Sequence, residues 1–227
     1  MIQRRAVLQC TLGAFWTLSH SLSSLVLAAT ENGLRRLDWA EFVGKIASFA
    51  QNRSGGHFNS AEFVRSVAAV GTSLNVADKE LSGAYSFIRK RQELIHSHLM
   101  VVEAHRQVTF NIVLLSLAPN YSIPLHDHPG RIGVSVCITG RAMIRNYDLI
   151  GSISSPALKL RSQSTVRSSE AVGFTDTQGN IHTISAIDHT ELVDVFSPPS
   201  PRSGGFHWYK TEPDSKDRTI LRVKSIS

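Results

Sequence analysis

Pro124-Leu125-His126-Asp127-His128-Pro129-Gly130, answered later in the chain by Gln178-Gly179-Asn180-Ile181-His182, decides how the rest of the sequence is read. In a strand, residues i and i+2 point to the same face, so a His-x-His pair aims two imidazoles at a common point. A third imidazole from a later strand completes one face of a coordination sphere and leaves the other face open to substrate. The spacing predicts one metal, held by His126, His128 and His182 inside a β-barrel.

The surrounding sequence has the character such a barrel needs. From His98 onward, Leu99–Val102, Val108–Leu117, Val134–Ile138, Ala142–Tyr147 and Leu192–Phe196 are β-branched or apolar runs separated by Gly, Pro, Asn and Asp turns, a pattern of antiparallel strands. Before it, Leu37–Phe49 and Ala61–Leu74 carry apolar residues at helical spacing, with Ser60 expected to cap the second helix. Asp78–Glu93 reads as a third helix. The predicted division is residues 1–29 as leader, 30–95 as helical extension and 96–227 as barrel.

Arg4-Arg5 precedes a charge-free run from Ala6 to Thr30 that ends in the small residues Ala28-Ala29, so residues 1–29 read as a targeting segment. The paired arginines resemble a twin-arginine export signal and point to a periplasmic destination. An uncleaved N-terminal anchor is the alternative, and the leader is then the chain's one route to a membrane. Cys10 lies in this leader. Cys137 is the one cysteine left, so no internal disulfide forms in the mature chain, and its alternating apolar setting suits a small core residue.

At 227 residues and 42% apolar the chain can bury a sizeable core. Its formal charge of +6 drops by two without the leader, and the basic residues are scattered among few aromatics. That distribution argues against a nucleic-acid groove. A monomer is expected.

The two histidine segments resemble the two cupin motifs, Gly140 closing the first and Gly179-x-x-His182 forming the core of the second. The expected fold is therefore mainly β, a double-stranded β-helix or jelly-roll barrel behind an N-terminal helical extension. An ordinary cupin has a glutamate ligand four or five residues after the His-x-His pair, where this chain has Ile132 and Gly133. The three-histidine set, with Arg141-x-x-Ile144-x-x-Tyr147-Asp148 and Val193-Asp194-Val195-Phe196-Ser197-Pro198-Pro199, resembles the 2-aminoethanethiol dioxygenase and plant cysteine oxidase family over roughly residues 98 to 210.

That resemblance implies a non-haem Fe(II) dioxygenase that converts a thiol and O2 into a sulfinic acid, with a small aminothiol or a peptide beginning in cysteine as substrate. Neutral imidazoles leave the charge of a divalent ion uncancelled, which favours addition of a thiolate. Zinc shares the preference for nitrogen and sulfur, so donor type alone leaves the metal open. Asp194 matches the family's Asp-x-x-x-Pro-Pro aspartate and is expected to orient a ligand histidine or meet a substrate amine, against an equally weighted reading as a strand-end cap. Tyr209 is expected to direct its hydroxyl toward the open side of the metal, with a buried aromatic anchor as the commoner role. Arg131 is the one arginine placed to bind a substrate carboxylate.

The chain also departs from the family. The stretch that carries Cys-x-Tyr in the aminoethanethiol enzyme reads Phe206-His207-Trp208, and Ser200 replaces the tyrosine after Pro-Pro. Another metal-dependent cupin, non-redox or carbon-oxidising, and a metal-binding barrel without turnover are the competing classes. His96 and His98 form the rival metal pair.

Overall fold

Asn111–Leu117, Ile132–Ile138 and Thr190–Ser197 are buried at every position, which a strand achieves only when both of its faces are covered. One face meets helices and the other meets the barrel interior. This arrangement holds in the computed structural model, which describes residues 27–28, 36–51, 58–152, 154–201 and 205–227.

In chain order the elements are β1 (Leu27–Ala28), α1 (Trp39–Gln51), α2 (Ser60–Thr72), α3 (Lys79–Leu94), β2 (Leu99–Arg106), β3 (Asn111–Leu117), β4 (Ser122–His126), β5 (Ile132–Thr139), β6 (Arg141–Ser152), β7 (Ser155–Arg167), β8 (Glu170–Phe174), β9 (Ile181–Ala186), β10 (Thr190–Ser197), β11 (Tyr209–Pro213) and β12 (Ile220–Ile226). They make two antiparallel sheets, ordered β1-β8-β5-β10-β3-β2 and β11-β12-β7-β6-β9-β4. The mainly β cupin-type barrel with helices in front of it is thus the observed architecture. Most of the expected leader lies outside the described residues; its Leu27 and Ala28 pair with Ala171 and Glu170 of β8.

The helices cover the first sheet. Phe42, Ile46, Phe63, Val67, Leu81, Tyr85 and Ile88 form one apolar cluster with Ile112, Leu114, Val134, Val136, Val193 and Val195. The alternate residues Val113, Leu115, Cys137, Leu192 and Phe196 turn inward to a second cluster with Ile123, Ile144 and Ile184 of the opposing sheet. Period-two alternation therefore splits one continuous apolar run between two cores. The Tyr85 hydroxyl donates to the Leu192 carbonyl at 2.6 Å and links α3 to β10.

Several expected boundaries move. Val108–Leu117 is not one strand: Gln107 N–H donates to the Phe110 carbonyl, so Val108 sits in a turn, 94% exposed. The cap of α2 is Asn59, whose side chain accepts from Glu62 N, because Ser60 is already in the helix and its hydroxyl donates to Asp176. Gly140, at φ +77°, makes the tight turn from β5 to β6 against the His189 carbonyl, where a Cβ has no room.

Candidate metal centre

His126 is the last residue of β4, and His182 is its register partner on β9, so the antiparallel ladder alone places these two imidazoles side by side. Their ring centroids are 4.4 Å apart. His128 arrives differently. It lies beyond the end of β4, and the turn Asp127–Gly130, rather than the strand pleat, brings its ring within 4.9 Å of His126 and 5.0 Å of His182.

Asn180 fixes that turn. Its side-chain carbonyl accepts from His128 N at 2.6 Å, and its amide donates to the His128 carbonyl at 2.9 Å and the Arg131 carbonyl at 3.1 Å. The segment that carries the third histidine thus holds the backbone of the second. Asp148 supports it from behind, accepting from Gly179 N at 2.7 Å and from Arg161 at 2.8 Å. Gly179 itself has φ +66°, a conformation that suits glycine.

One ring nitrogen from each histidine lies within 4.8 Å of the others, and among the described residues this is the one group of three or more metal-type donors that meets the spacing. All three are buried. Burial pushes the His126 imidazole below its usual range, partly opposed by the Pro124 carbonyl, and pushes His128 and His182 well below it, with neighbouring imidazoles adding to the effect. The site is therefore built from neutral rings with lone pairs available. His126 Nδ1 is 2.8 Å from the Pro124 carbonyl, which can only accept, so this nitrogen carries the proton and Nε2 is left to coordinate.

The His128 ring packs against Phe174 and Phe196, at 5.4 and 4.7 Å, which also touch each other at 6.4 Å, and neither of its ring nitrogens has a hydrogen-bond partner. A buried imidazole without partners is costly unless a ligand satisfies it. The donor set, its protonation and this orphaned ring all fit a divalent ion bound by nitrogen.

The histidines open into a cavity of about 510 Å³ also lined by Asp194, Phe196, Phe206, Trp208, Ser200 and, farther out, residues of β2 and β3. Asp194 is 5% exposed, and burial raises its carboxyl to about 7 against the opposing hydrogen bond from Ser135. Its Oδ1 has no partner. Inward-facing on β10 between Leu192 and Phe196, it belongs to the cavity wall rather than to a strand-end turn.

Tyr209 sits elsewhere. Its ring packs with Tyr147, Leu158 and Ile181, and its hydroxyl donates to Asp127 Oδ2 at 2.8 Å. The cavity wall does not include it. The hydroxyl expected at the open side of the metal is instead a strut, because Trp208, just before β11, turns toward the histidines and the next residue, Tyr209, turns away from them. Asp127 also accepts from His207 N at 2.7 Å and from His207 Nδ1 at 2.9 Å.

Those bonds hold Phe206 and Trp208 against the histidines. The Phe206 ring is 5.0 Å from His128, and the Trp208 indole is 5.1 Å from His126. Sequence reasoning marked this stretch only as a departure; the alternation of Trp208 with Tyr209 is the signal that could have placed the indole inside.

Arg131 is also displaced from its expected role. It is buried outside the cavity wall and donates to the Gly205 carbonyl at 3.0 Å. The arginine in the wall is Arg106, which is paired with Glu103 and donates to the Ser200 carbonyl at 2.7 Å. His96 and His98 line a separate cavity with His189, whose Nε2 is 3.1 Å from Ser116 Oγ; His98 stacks on Tyr121. His57 lies outside the described residues.

A family model described as PCO_ADO matches residues 70–224. The chain is 26% identical to plant cysteine oxidase 2 of Arabidopsis thaliana over 170 residues, covering 70% of this chain and 60% of that protein. It is 30% identical to plant cysteine oxidase 1 of the same organism over 112 residues, covering 45% of this chain and 38% of that protein. The chain thus spans less than two thirds of the length of these relatives. Among solved structures, KdgF from Halomonas sp. superposes with a TM-score of 0.35 at 13% identity, over 44% of this chain and 79% of that one.

Proposed function

The chain belongs to the PCO_ADO family, and on that premise we propose that it is a non-haem Fe(II) thiol dioxygenase catalysing R-SH + O2 → R-SO2H. The observation that carries this reading is the three-histidine site with Ile132 and Gly133 where a carboxylate ligand would stand. His126, through Nε2, and His128 and His182 would hold the iron. When bound, iron(II) supplies a Lewis-acidic, redox-active centre for thiolate and O2.

The chain's own residues prepare the site. Phe174 and Phe196 keep His128 in one orientation, and with Phe206 and Trp208 they shield the three rings from bulk water. Asp194 offers an unpaired oxygen to a substrate ammonium or thiol proton. Among the described residues the arginine in the wall is Arg106, already matched by Glu103, so a substrate carboxylate finds no unmatched cation among them. These features favour an aminothiol or an N-terminal cysteine over free cysteine.

Metal analysis combined with oxygen uptake tests the reading. Iron-loaded protein is expected to consume O2 and form sulfinate from cysteamine or a Cys-initiated peptide, while zinc-loaded protein is not. Iron-loaded protein inert toward every thiol would overturn it.

The leader is proposed to be a twin-arginine-type signal that takes a monomer to the periplasm. Among the described residues no helix is long and apolar enough to cross a membrane. Cell fractionation of the full chain and of an Arg4→Lys/Arg5→Lys variant checks this: the variant should stay in the cytoplasm.

A further inference from the structure

The cavity continues well past the histidines. Asp194 on β10, Val113 on β3 and Glu103 on β2 are register partners in three adjacent strands, and so are Leu192, Leu115 and Val101. Two strand spacings put the β2 side chains roughly 10 Å from those of β10. Leu99, Val101, Glu103 and Arg106 of β2 all line the same cavity as the histidines.

This outer part is apolar where it could have been polar. Leu99, Val101, Val113 and Leu115 form its floor, and the Glu103–Arg106 pair closes one end. Val101 is 57% exposed although its alternation partners Met100 and Val102 are packed against the helix-side core. Cavities of roughly 300–1,000 Å³ accept drug-sized molecules. A two-carbon aminothiol fills only a small part of 510 Å³.

We propose that Leu99, Val101 and Leu115 form a subsite for an apolar side chain immediately following the substrate's thiol-bearing residue, so that the chain selects peptides beginning Cys-(Leu, Ile, Val, Met or Phe). The proposal rests on the thiol-dioxygenase reading of the same cavity and deepens it. The occupant follows from continuity: a thiol at the histidines and an amine at Asp194 leave the rest of the molecule to run over Val113 toward β2. There an aliphatic side chain gains by leaving water, whereas an acidic one meets Glu103.

The test compares Cys-Leu-Gly, Cys-Asp-Gly and cysteamine on iron-loaded wild type and Val101→Asp. Val101 is exposed enough for the substitution to leave folding intact. Wild type is expected to favour Cys-Leu-Gly over Cys-Asp-Gly by roughly tenfold or more in kcat/KM. Val101→Asp should abolish that preference, costing Cys-Leu-Gly far more in kcat/KM than it costs cysteamine. Equal rates for the two peptides, or an equal loss with cysteamine, would overturn the subsite.

Binding under anaerobic conditions, read by tryptophan fluorescence with Trp208→Phe identifying the signal, separates the two claims. Tighter binding of Cys-Leu-Gly than Cys-Asp-Gly without any thiol oxidation would support the subsite and sink the dioxygenase reading. Equal binding with active turnover would do the reverse.

Discussion

The Tyr209 hydroxyl donates to Asp127 Oδ2 at 2.8 Å, tying the start of β11 to the residue between His126 and His128. Because Asp127 also holds His207, this carboxylate fixes the aromatic wall through three bonds while pointing away from the cavity. Tyr209→Phe should therefore cost about 1.5–3 kcal/mol of stability, the usual scale for a hydrogen bond to a charged group. It should leave kcat within a few-fold of wild type. Thermal unfolding and oxygen uptake measure the two effects, and a collapse of kcat at unchanged stability would return Tyr209 to the chemistry.

His182→Ala removes one of three ligands and should abolish stoichiometric iron and oxygen uptake with the barrel still folded, since the two cores beside it are apolar and intact. His98→Ala should keep both. Iron by elemental analysis and circular dichroism decide the outcome. Full occupancy in His182→Ala would remove the site assignment.

Asn180→Ala deletes four hydrogen bonds to the His128, Arg131 and Thr175 backbones. The metal affinity should fall about 10–100-fold, the range for losing a group that positions a ligand. Competition with a chelator reads the change. An unaltered affinity would mean that Phe174 and Phe196 alone fix His128.

Asp194 gives a pH signature. Its carboxyl is raised to about 7 by burial, from an ordinary value of 3.8. Between those values the unfolded chain has lost this proton and the folded chain has kept it, so this residue's contribution makes folding weaker as pH rises from about 4 to 7. Asp194→Asn removes the contribution. The stability of the metal-free variant relative to metal-free wild type should increase across that window and level off above it. A difference that stays flat with pH would show that the carboxyl titrates normally.

The sequence by itself brought out the three histidines: His182 follows a glycine turn that the ladder sets opposite His126, and the two-residue spacing marked His128, although the segment after β4 and not the strand pleat brings that ring to the other two. Gly140 and Gly179 were marked by the likeness to the two cupin motifs, and each has a positive φ at its own turn. β7 escaped notice because Ser155–Arg167 lies largely half-buried or exposed, with polar residues such as Gln163 and Ser164 on a surface strand.

What only the tertiary structure decided was direction. Whether Tyr209 or Trp208 faces the histidines depends on how the start of β11 is held, by the bonds of Trp208 to Ser227, the pairing of Tyr209 with Ile226 on β12, and Asp127, all distant in sequence. Arg131 left its expected place because a buried guanidinium goes where a carbonyl awaits it, at Gly205, while Arg106 on the cavity wall meets Glu103 and the Ser200 carbonyl. Gly205 and Ser200 lie far along the chain from these arginines, and only folding brings them within hydrogen-bonding distance, whereas Glu103 is a local partner on the same strand as Arg106.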